Sequence, residues 1–170
     1  MLNNIMTEGE CSKLRSLIHH ANNIVLCCHV SPDGDAIGSV LGMAEVLKCM
    51  GKEPVMVVPD QFPDYLQWLP NTEKIVRYDK RSDYVDMVLK IADLVICLDF
   101  NALSRTDDME AALEACTAPR VLIDHHLNPS IACQVCVSHP NMSSASELVF
   151  RVAWQLGLFE QLGRHFATAV

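Results

Sequence analysis

Acidic and imidazole side chains collect in three short segments of the 170-residue chain. The first segment runs from His29 to Asp35, the second is Asp99, and the third is Asp124-His125-His126. Side chains of these types that converge in a fold repel one another, or remain desolvated at high cost, unless cations neutralise them. Their types and spacing therefore indicate a metal centre.

The segment from His29 to Asp35 is suited to more than one ion. Pro32 and Gly34 bend the backbone, so Asp33 and Asp35 need not point to opposite sides as they would in a strand. A helix that starts directly behind these carboxylates also favours a phosphate at its N-terminus. The segment therefore predicts two ligands beside a phosphate site.

Each segment has a simpler explanation when it is taken alone. The stretch from Pro32 to Asp35 is typical of a surface turn with a helix cap. Asp99 is typical of a turn or cap, and His125 and His126 are typical of a solvent-facing loop. Independent turns would rarely place three such groups at three strand ends, and this coincidence favours the metal centre.

The hydrophobic pattern predicts strands that alternate with helices. Such alternation indicates an α/β fold with a mainly parallel central sheet and helices on both faces, with ligands beyond the carboxyl ends of the strands. The predicted strands are 24–28, 55–58, 94–98, 121–123 and a strand-like stretch over 131–137. The predicted helices are 7–21, about 37–50, 64–69, 82–91, 108–116, 144–155 and a segment from 159 onward. Capping boxes are predicted at Thr7/Glu10 and Ser144/Glu147.

The composition predicts one compact domain, because 170 residues that are 50% hydrophobic and 20% charged can bury a single core. A formal charge of −8 argues against long duplex nucleic acid as a partner. Small phosphorylated ligands fit better, since bound metal ions add positive charge. No apolar run approaches the roughly 20 residues of a membrane span and no signal peptide is evident, so we expect a cytoplasmic protein without membrane contacts.

The eight cysteines are expected to be reduced, because several of them lie in apolar runs that predict buried strands. Cys133 and Cys136 have the spacing of a zinc-binding pair, but no second pair or histidines accompany them at a similar spacing. We therefore interpret both as residues of a buried strand.

The motifs together resemble those of the DHH family of phosphoesterases, named for a run such as Asp124-His125-His126. The matches follow the order of that family over most of the chain. The resemblance is nearest to the bacterial nanoRNases, which degrade very short oligoribonucleotides and dephosphorylate 3′-phosphoadenosine 5′-phosphate. The matching residues are His29, Asp33, Asp35, Ala36, Gly38, Ser39, Asp99, Arg105, the Asp124-His125-His126 run and the run from Ser143 to Glu147.

The resemblance implies a dinuclear manganese centre, with Mg²⁺ or Co²⁺ as possible substitutes. His29, Asp33 and Asp99 are implied to hold one ion. Asp35, Asp99 and His125 are implied to hold the other, with Asp99 bridging the pair. The implied reaction is attack of a metal-activated water on the phosphate, with no protein nucleophile.

The resemblance also implies roles for residues around the ions. His126 is expected to contact the scissile phosphate. Asp124 is expected to support the site without binding an ion itself. Arg105 is expected either to reach a phosphate or to form a structural salt bridge. Ser143, Ser144 and Ser146 are expected to cap a helix rather than to contact substrate.

Related enzymes continue into a Thr-Asp-Thr-Gly-like segment and a smaller substrate-gripping domain, whereas this sequence ends at Val170. We therefore expect residues 1–170 to form a DHH phosphoesterase domain without its C-terminal substrate-binding domain, weakly active or inactive by itself. Its expected partners are short oligoribonucleotides or small phosphorylated nucleotides, and the family resemblance is compatible with a homodimer. The open alternatives are a cyclic-dinucleotide phosphodiesterase, a RecJ-type single-strand exonuclease and a non-catalytic nucleotide-binding module.

Overall fold

Six parallel strands form one sheet in the order β3-β2-β1-β4-β5-β6, in a computed structural model that describes residues 3–170. Every neighbouring pair of strands is parallel, which confirms the predicted sheet type. The first two residues of the predicted 1–170 domain lie outside the described residues. The strands are β1 Ile24–Cys27, β2 Val55–Val58, β3 Val76–Arg77, β4 Leu94–Leu98, β5 Arg120–Asp124 and β6 Val135–Ser138.

Helices cover both faces of the sheet, as predicted. One core lies under α1, α2, α5 and α6, and a second core lies under α3 and α4. No helix within residues 3–170 is both long enough and apolar enough to cross a bilayer. The helices are α1 Glu8–His20, α2 Gly34–Cys49, α3 Tyr78–Ile91, α4 Glu110–Ala115, α5 Ala145–Gln155 and α6 Arg164–Ala169, with 3₁₀ segments at 64–66, 72–74, 103–109 and 159–161.

The central strands are apolar at every position because both of their faces are buried. On β1, Ile24 and Leu26 pack into the core under α2, whereas Val25 and Cys27 pack into the core under α3. All five residues of β4 are buried in the same way. Uninterrupted apolar runs therefore predicted β1, β2 and β4 to within one residue of their observed ends.

The edge strand β6 departs from the prediction. It begins at Val135 rather than at residue 131, and its burial alternates because one of its faces is exposed. Cys136 is exposed and Cys133 precedes the strand, so the interpretation of this pair as buried strand residues is wrong.

Three helical predictions also need correction. The predicted 64–69 helix is a single 3₁₀ turn over 64–66. The helix predicted at 82–91 begins earlier, at Tyr78, because a short helical turn precedes a kink at Arg81, whose φ of −142° is not helical. The helix predicted at 108–116 is a 3₁₀ segment over 103–109 followed by α4, since Asp107 takes a positive φ of 49° within that segment.

Helix α6 approaches α2 closely at two glycines. A Cβ atom at Gly38 would overlap the carbonyl oxygen of Ala169, and a Cβ atom at Gly42 would lie 2.5 Å from Cγ1 of Val170. The absence of side chains at these two positions therefore sets the distance between the two helices.

Candidate metal centre

The sheet topology brings all three acidic segments to one edge, since β5, at whose end Asp124 lies, also neighbours β4. The order of the strands reverses between β1 and β4, which are neighbours with Cys27 beside Cys97. A crevice opens beyond the carboxyl ends of strands at such a reversal. The loop that starts at His29 follows β1, and Asp99 follows β4 with a left-handed φ of 64°. Aspartate tolerates this conformation better than most residues.

The first cluster consists of His29, Asp33 and Asp99, whose potential ligand atoms all lie within 4.8 Å of one another. His29 Nε2 lies 3.4 Å from Asp99 Oδ2 and 4.0 Å from Asp33 Oδ1. His29 Nδ1 lies 2.7 Å from the carbonyl oxygen of Val30, which can only accept a hydrogen bond. We therefore assign the proton to Nδ1, which leaves the lone pair of Nε2 directed at the two carboxylates.

Asp33 has two roles that are compatible. Its Oδ1 atom accepts hydrogen bonds from the backbone N–H groups of Asp35 at 2.9 Å and Ala36 at 3.0 Å, and so caps α2. This confirms the capping explanation of the turn. Oδ2 makes no hydrogen bond within residues 3–170, so the cap leaves one oxygen for an ion.

The second cluster joins Asp35 and His125 to Asp99. His125 Nε2 lies 3.5 Å from Asp35 Oδ2 and 3.4 Å from Asp99 Oδ1. The carbonyl oxygen of Met142 lies 3.3 Å from His125 Nδ1, so here too the proton belongs on Nδ1 and Nε2 faces the carboxylates. Asp99 thus stands between the two imidazoles, with one oxygen towards His29 and the other towards His125.

Asp35 is held in place by the start of α5. Its two oxygens accept hydrogen bonds from the backbone N–H groups of Ala145 and Ser146, each at 2.8 Å. A carboxylate oxygen has two lone-pair sites, so each can still face an ion. These amides are already bonded to Asp35, and the N-terminus of α5 is therefore not an open phosphate site.

His126 is not placed to coordinate an ion through Nδ1. Its Nδ1 atom lies 2.7 Å from Oδ1 of Asp124, and its backbone N–H donates to Asp124 Oδ2 at 3.1 Å. Asp124 is fully buried. His126 Nδ1 also lies 3.7 Å from Asp99 Oδ1, which groups His126 with Asp99 and His125 by distance alone. Since Nδ1 carries the proton donated to Asp124, it cannot also bind a metal, and Nε2 remains for another partner.

The electrostatics of Asp99 and His29 fit a cation between them. Burial raises the pKa of Asp99, and the carboxylates of Asp35 and Asp33 raise it further against the opposing effect of His29. Burial lowers the pKa of His29, but the Asp99 carboxylate and the Val30 carbonyl outweigh it and raise the pKa overall.

Asp99 Oδ1 is buried and has no hydrogen-bond donor within residues 3–170. The nitrogens of His125 and His126 approach it at 3.4 and 3.7 Å without the geometry of a hydrogen bond. A buried carboxylate oxygen without a partner costs free energy, and coordination to a cation would recover it.

Arg105 lies beside the loop that carries His29. Its side chain is exposed and forms no ion pair with the residues that the structure describes, so the salt-bridge alternative finds no partner there. Its backbone carbonyl accepts a hydrogen bond of 2.7 Å from the N–H of Val30. The 3₁₀ segment over 103–109 therefore stabilises the loop that carries His29 through this hydrogen bond.

The serines around the start of α5 mainly form hydrogen bonds with other residues of that first turn. Ser144 Oγ accepts from the backbone N–H of Glu147 at 3.0 Å and lies 3.1 Å from Ser146 Oγ. The predicted capping box is only half formed, because the Glu147 carboxylate binds the Ser143 hydroxyl at 2.6 Å instead of the Ser144 backbone. Capping by Ser144 was correctly predicted.

One residue that sequence reasoning missed is Asn101. Its side-chain amide donates to the carbonyl oxygen of Leu127 at 2.7 Å. Its own carbonyl accepts from the backbone N–H and the hydroxyl of Ser130, at 2.7 and 3.3 Å. Asn101 therefore ties the loop after His126 to the segment after Asp99. No local pattern in the sequence marks such a tether between distant segments.

Comparison with known proteins gives three results. Residues 23–170 match the family model described as the DHH family, N-terminal domain. An exopolyphosphatase-related protein of known structure from Bacteroides fragilis is 39% identical, with a TM-score of 0.95 over 99% of this chain and 49% of that chain. The bifunctional oligoribonuclease and PAP phosphatase NrnA of Thermus thermophilus is 33% identical over 129 residues, which cover 74% of this chain. This chain spans about half of the first relative and 35% of the second.

Proposed function

Since this chain belongs to the DHH family of phosphoesterases, we propose that it hydrolyses phosphate esters of short oligoribonucleotides and of 3′-phosphoadenosine 5′-phosphate with bound divalent metal ions. The observation that carries the proposal is the position of Asp99. This buried carboxylate lies between His29 and His125, and one of its oxygens has no hydrogen-bond donor within residues 3–170.

The donor set fits two ions. His29, Asp33 and Asp99 would hold one ion, while Asp35, Asp99 and His125 would hold the other. Mixed imidazole and carboxylate donors suit Mn²⁺, with Mg²⁺ or Co²⁺ as substitutes. Support comes from the imidazoles, since both turn Nε2 towards the carboxylates while a backbone carbonyl holds the proton on Nδ1.

The chemistry follows from that donor set. When bound, two divalent ions lower the pKa of a water molecule and stabilise negative charge on the phosphoryl oxygens. Asp124 accepts the Nδ1–H of His126 and orients the ring, so in its doubly protonated form His126 donates its Nε2–H to a phosphate oxygen. Asp35 keeps its position through the amides of α5. In this scheme no side chain of the protein serves as the nucleophile.

The substrate class rests on two observations. The Thermus thermophilus relative is named as an oligoribonuclease and PAP phosphatase. The net charge of −8 disfavours tracking along a long strand, which needs a basic channel. Because this chain spans 35% of that relative, its substrates are carried over here as a proposal.

The proposal is tested with a substrate panel in the presence and absence of Mn²⁺. We expect slow but measurable release of nucleoside 5′-monophosphate from a diribonucleotide, and of inorganic phosphate from 3′-phosphoadenosine 5′-phosphate, as from a weakly active domain. Both activities should need the metal and should be lost in Asp99→Asn, whereas Asp83→Asn, an exposed change on α3, should keep them. Hydrolysis of a cyclic dinucleotide alone would overturn the substrate assignment. Equal rates in the wild type and Asp99→Asn would overturn the role of the metal centre.

A further inference from the structure

An aromatic segment borders the metal centre on the side of β2. The chain contains five Phe, three Tyr and two Trp residues, and one of each lies between Phe62 and Trp68. Tyr65 is 68% exposed and Trp68 is 69% exposed, while Phe62 is half-buried against the core. Nothing in the proposed hydrolysis accounts for aromatic residues concentrated at this place.

The segment contacts the turn that carries the acidic residues. The side chain of Leu66 lies 4.0 Å from the place that a Cβ atom of Gly34 would occupy. Gly34 stands between Asp33 and Asp35 in the turn. A cavity of about 310 Å³ lies directly beside it. Its walls are Ser31, Pro32, Asp33, Gln61, Phe62 and Pro63. The metal-ligand candidate Asp33 and the ring of Phe62 therefore line the same space.

A second cavity, of about 350 Å³, shares lining residues with the first. Gln61 and Phe62 line both cavities, so the two spaces adjoin at these side chains and are together called the groove. The far part of the groove is also lined by Gln67, Glu73 and Arg77. Its size falls within the range of small-molecule sites, about 300–1,000 Å³.

The charges in the groove favour a neutral planar group over a second phosphate. Arg77 is the cation at the far end, but its guanidinium binds both oxygens of Asp79, at 2.6 and 3.0 Å. Glu73 adds a negative charge to the wall. Gln61 accepts a hydrogen bond from Arg77 at 3.4 Å and Gln67 donates one to Asp64 at 2.8 Å. The N–H groups of Gln61 and the carbonyl of Gln67 can still exchange hydrogen bonds with the edge of a heterocycle, and Phe62 offers a ring face for stacking.

We propose that this groove, defined by Asp33, Gln61, Phe62, Gln67 and Arg77, binds the nucleobase of the ester whose phosphate lies at the metal centre. Phe62 is the stacking platform. The inference rests on the proposed function and extends it, because it assigns base recognition to a specific surface of this chain. Stacking on a ring accepts any base, which suits an enzyme for short oligoribonucleotides of mixed sequence.

The test compares a ligand that carries a base with a ligand that lacks one. Binding of adenosine 5′-monophosphate and of ribose 5-phosphate is measured by calorimetry with Mn²⁺ present, in the wild type, Phe62→Leu and Phe62→Tyr. Leucine keeps the apolar contact with the core and removes the ring, whereas tyrosine keeps the ring. We expect Phe62→Leu to weaken the monophosphate about tenfold and leave ribose 5-phosphate unchanged, and Phe62→Tyr to bind both like the wild type.

Other outcomes separate this inference from the proposed function. If the wild type binds both ligands and Phe62→Leu weakens both equally or neither, the base groove is refuted while the metal centre stands. If the wild type binds neither ligand, the proposed function and the groove fail together. If Phe62→Leu instead changes the sedimentation coefficient and leaves nucleotide binding intact, the aromatic segment is a contact between two copies of the chain, and the inference is wrong.

Discussion

The buried carboxylate of Asp124 holds the Nδ1 atom of His126 at 2.7 Å. The same carboxylate accepts the backbone N–H of His126 at 3.1 Å, so both the ring and its chain are fixed by one side chain. Because a carboxylate only accepts hydrogen bonds, this arrangement selects the tautomer with the proton on Nδ1. Nε2 is left without a partner in this arrangement, and it can donate to a phosphate oxygen when it also carries a proton.

The first prediction concerns this tautomer. In Asp124→Asn the negative charge that balances a doubly protonated ring is lost, and the amide can donate to Nδ1, which leaves one proton on Nε2 and no positive charge to offer a phosphate. We expect kcat for Mn²⁺-dependent hydrolysis to fall at least about 100-fold. ¹⁵N chemical shifts of His126 should report the change of tautomer. An unchanged kcat in Asp124→Asn, with Asp83→Asn as the matched control, would show that Asp124 has no such role.

The second prediction concerns the tether at Asn101. Asn101→Ala removes the hydrogen bond to the Leu127 carbonyl and leaves the loop after His126 less firmly placed. We expect kcat to fall roughly tenfold with little change in KM, and the free energy of unfolding to fall by about 1 kcal/mol. Steady-state kinetics and urea unfolding measure the two effects. Asn22→Ala, an exposed change far from the site, is the control and should alter neither quantity. A tenfold rise in KM at constant kcat would contradict a positioning role.

The third prediction concerns the packing of α6 on α2. Gly38→Ala would place a methyl group against the Ala169 backbone, which can move only with the helix, and should lower the free energy of unfolding by about 2 kcal/mol. Gly42→Ala meets the end of the Val170 side chain, which can rotate, so it should cost less. Gly9→Ala in α1 would meet only the Thr7 hydroxyl oxygen, at an ordinary contact distance of 3.9 Å, and should stabilise by about 0.5–1 kcal/mol. Chemical denaturation gives the order, and a Gly38→Ala protein as stable as Gly9→Ala would refute this account.

The fourth prediction concerns acid stability. The Ser143 hydroxyl and then the Arg151 guanidinium hold the pKa of Glu147 below its ordinary value of 4.5. A carboxyl whose pKa is lower in the folded state stabilises the fold above pH 4.5 and loses that effect as the pH falls through the folded value. Glu147→Gln should therefore be less stable than the wild type at neutral pH, and the difference should shrink on acidification.

Urea unfolding at a series of pH values checks this prediction, with Glu114→Gln, an exposed change in α4, as the control. A difference between the wild type and Glu147→Gln that stays constant from neutral pH to acid would mean that the Ser143 and Arg151 contacts do not act on the ionised form.

The sequence predicted the central strands well because burial on both faces leaves a simple signal. β1, β2 and β4 are short runs of apolar residues bounded by polar turns. β3 has two residues, Val76–Arg77, which is too short for any hydrophobic period. The hydrophobic periodicity of a segment also does not predict the order of the strands, because that order depends on how the crossovers pack across the whole sheet.

The candidate site was predictable to the extent that ligand types follow strand ends. His29, Asp33, Asp35, Asp99 and His125 do converge in the structure. What no local pattern signals is how the site is supported, since the partners lie far away in the chain. Examples are the amides of Ala145 and Ser146, which hold Asp35 from 110 and 111 residues away.

The most direct test of the metal centre is a calorimetric titration of Mn²⁺ into the wild type and into Asp99→Asn. Asparagine tolerates the left-handed φ of 64° at this position, so the variant removes the bridging charge without straining the backbone. We predict that the wild type binds two ions per chain and that Asp99→Asn, folded by circular dichroism, binds neither ion tightly. Equal Mn²⁺ binding by the two proteins, or none by the wild type, would contradict the account.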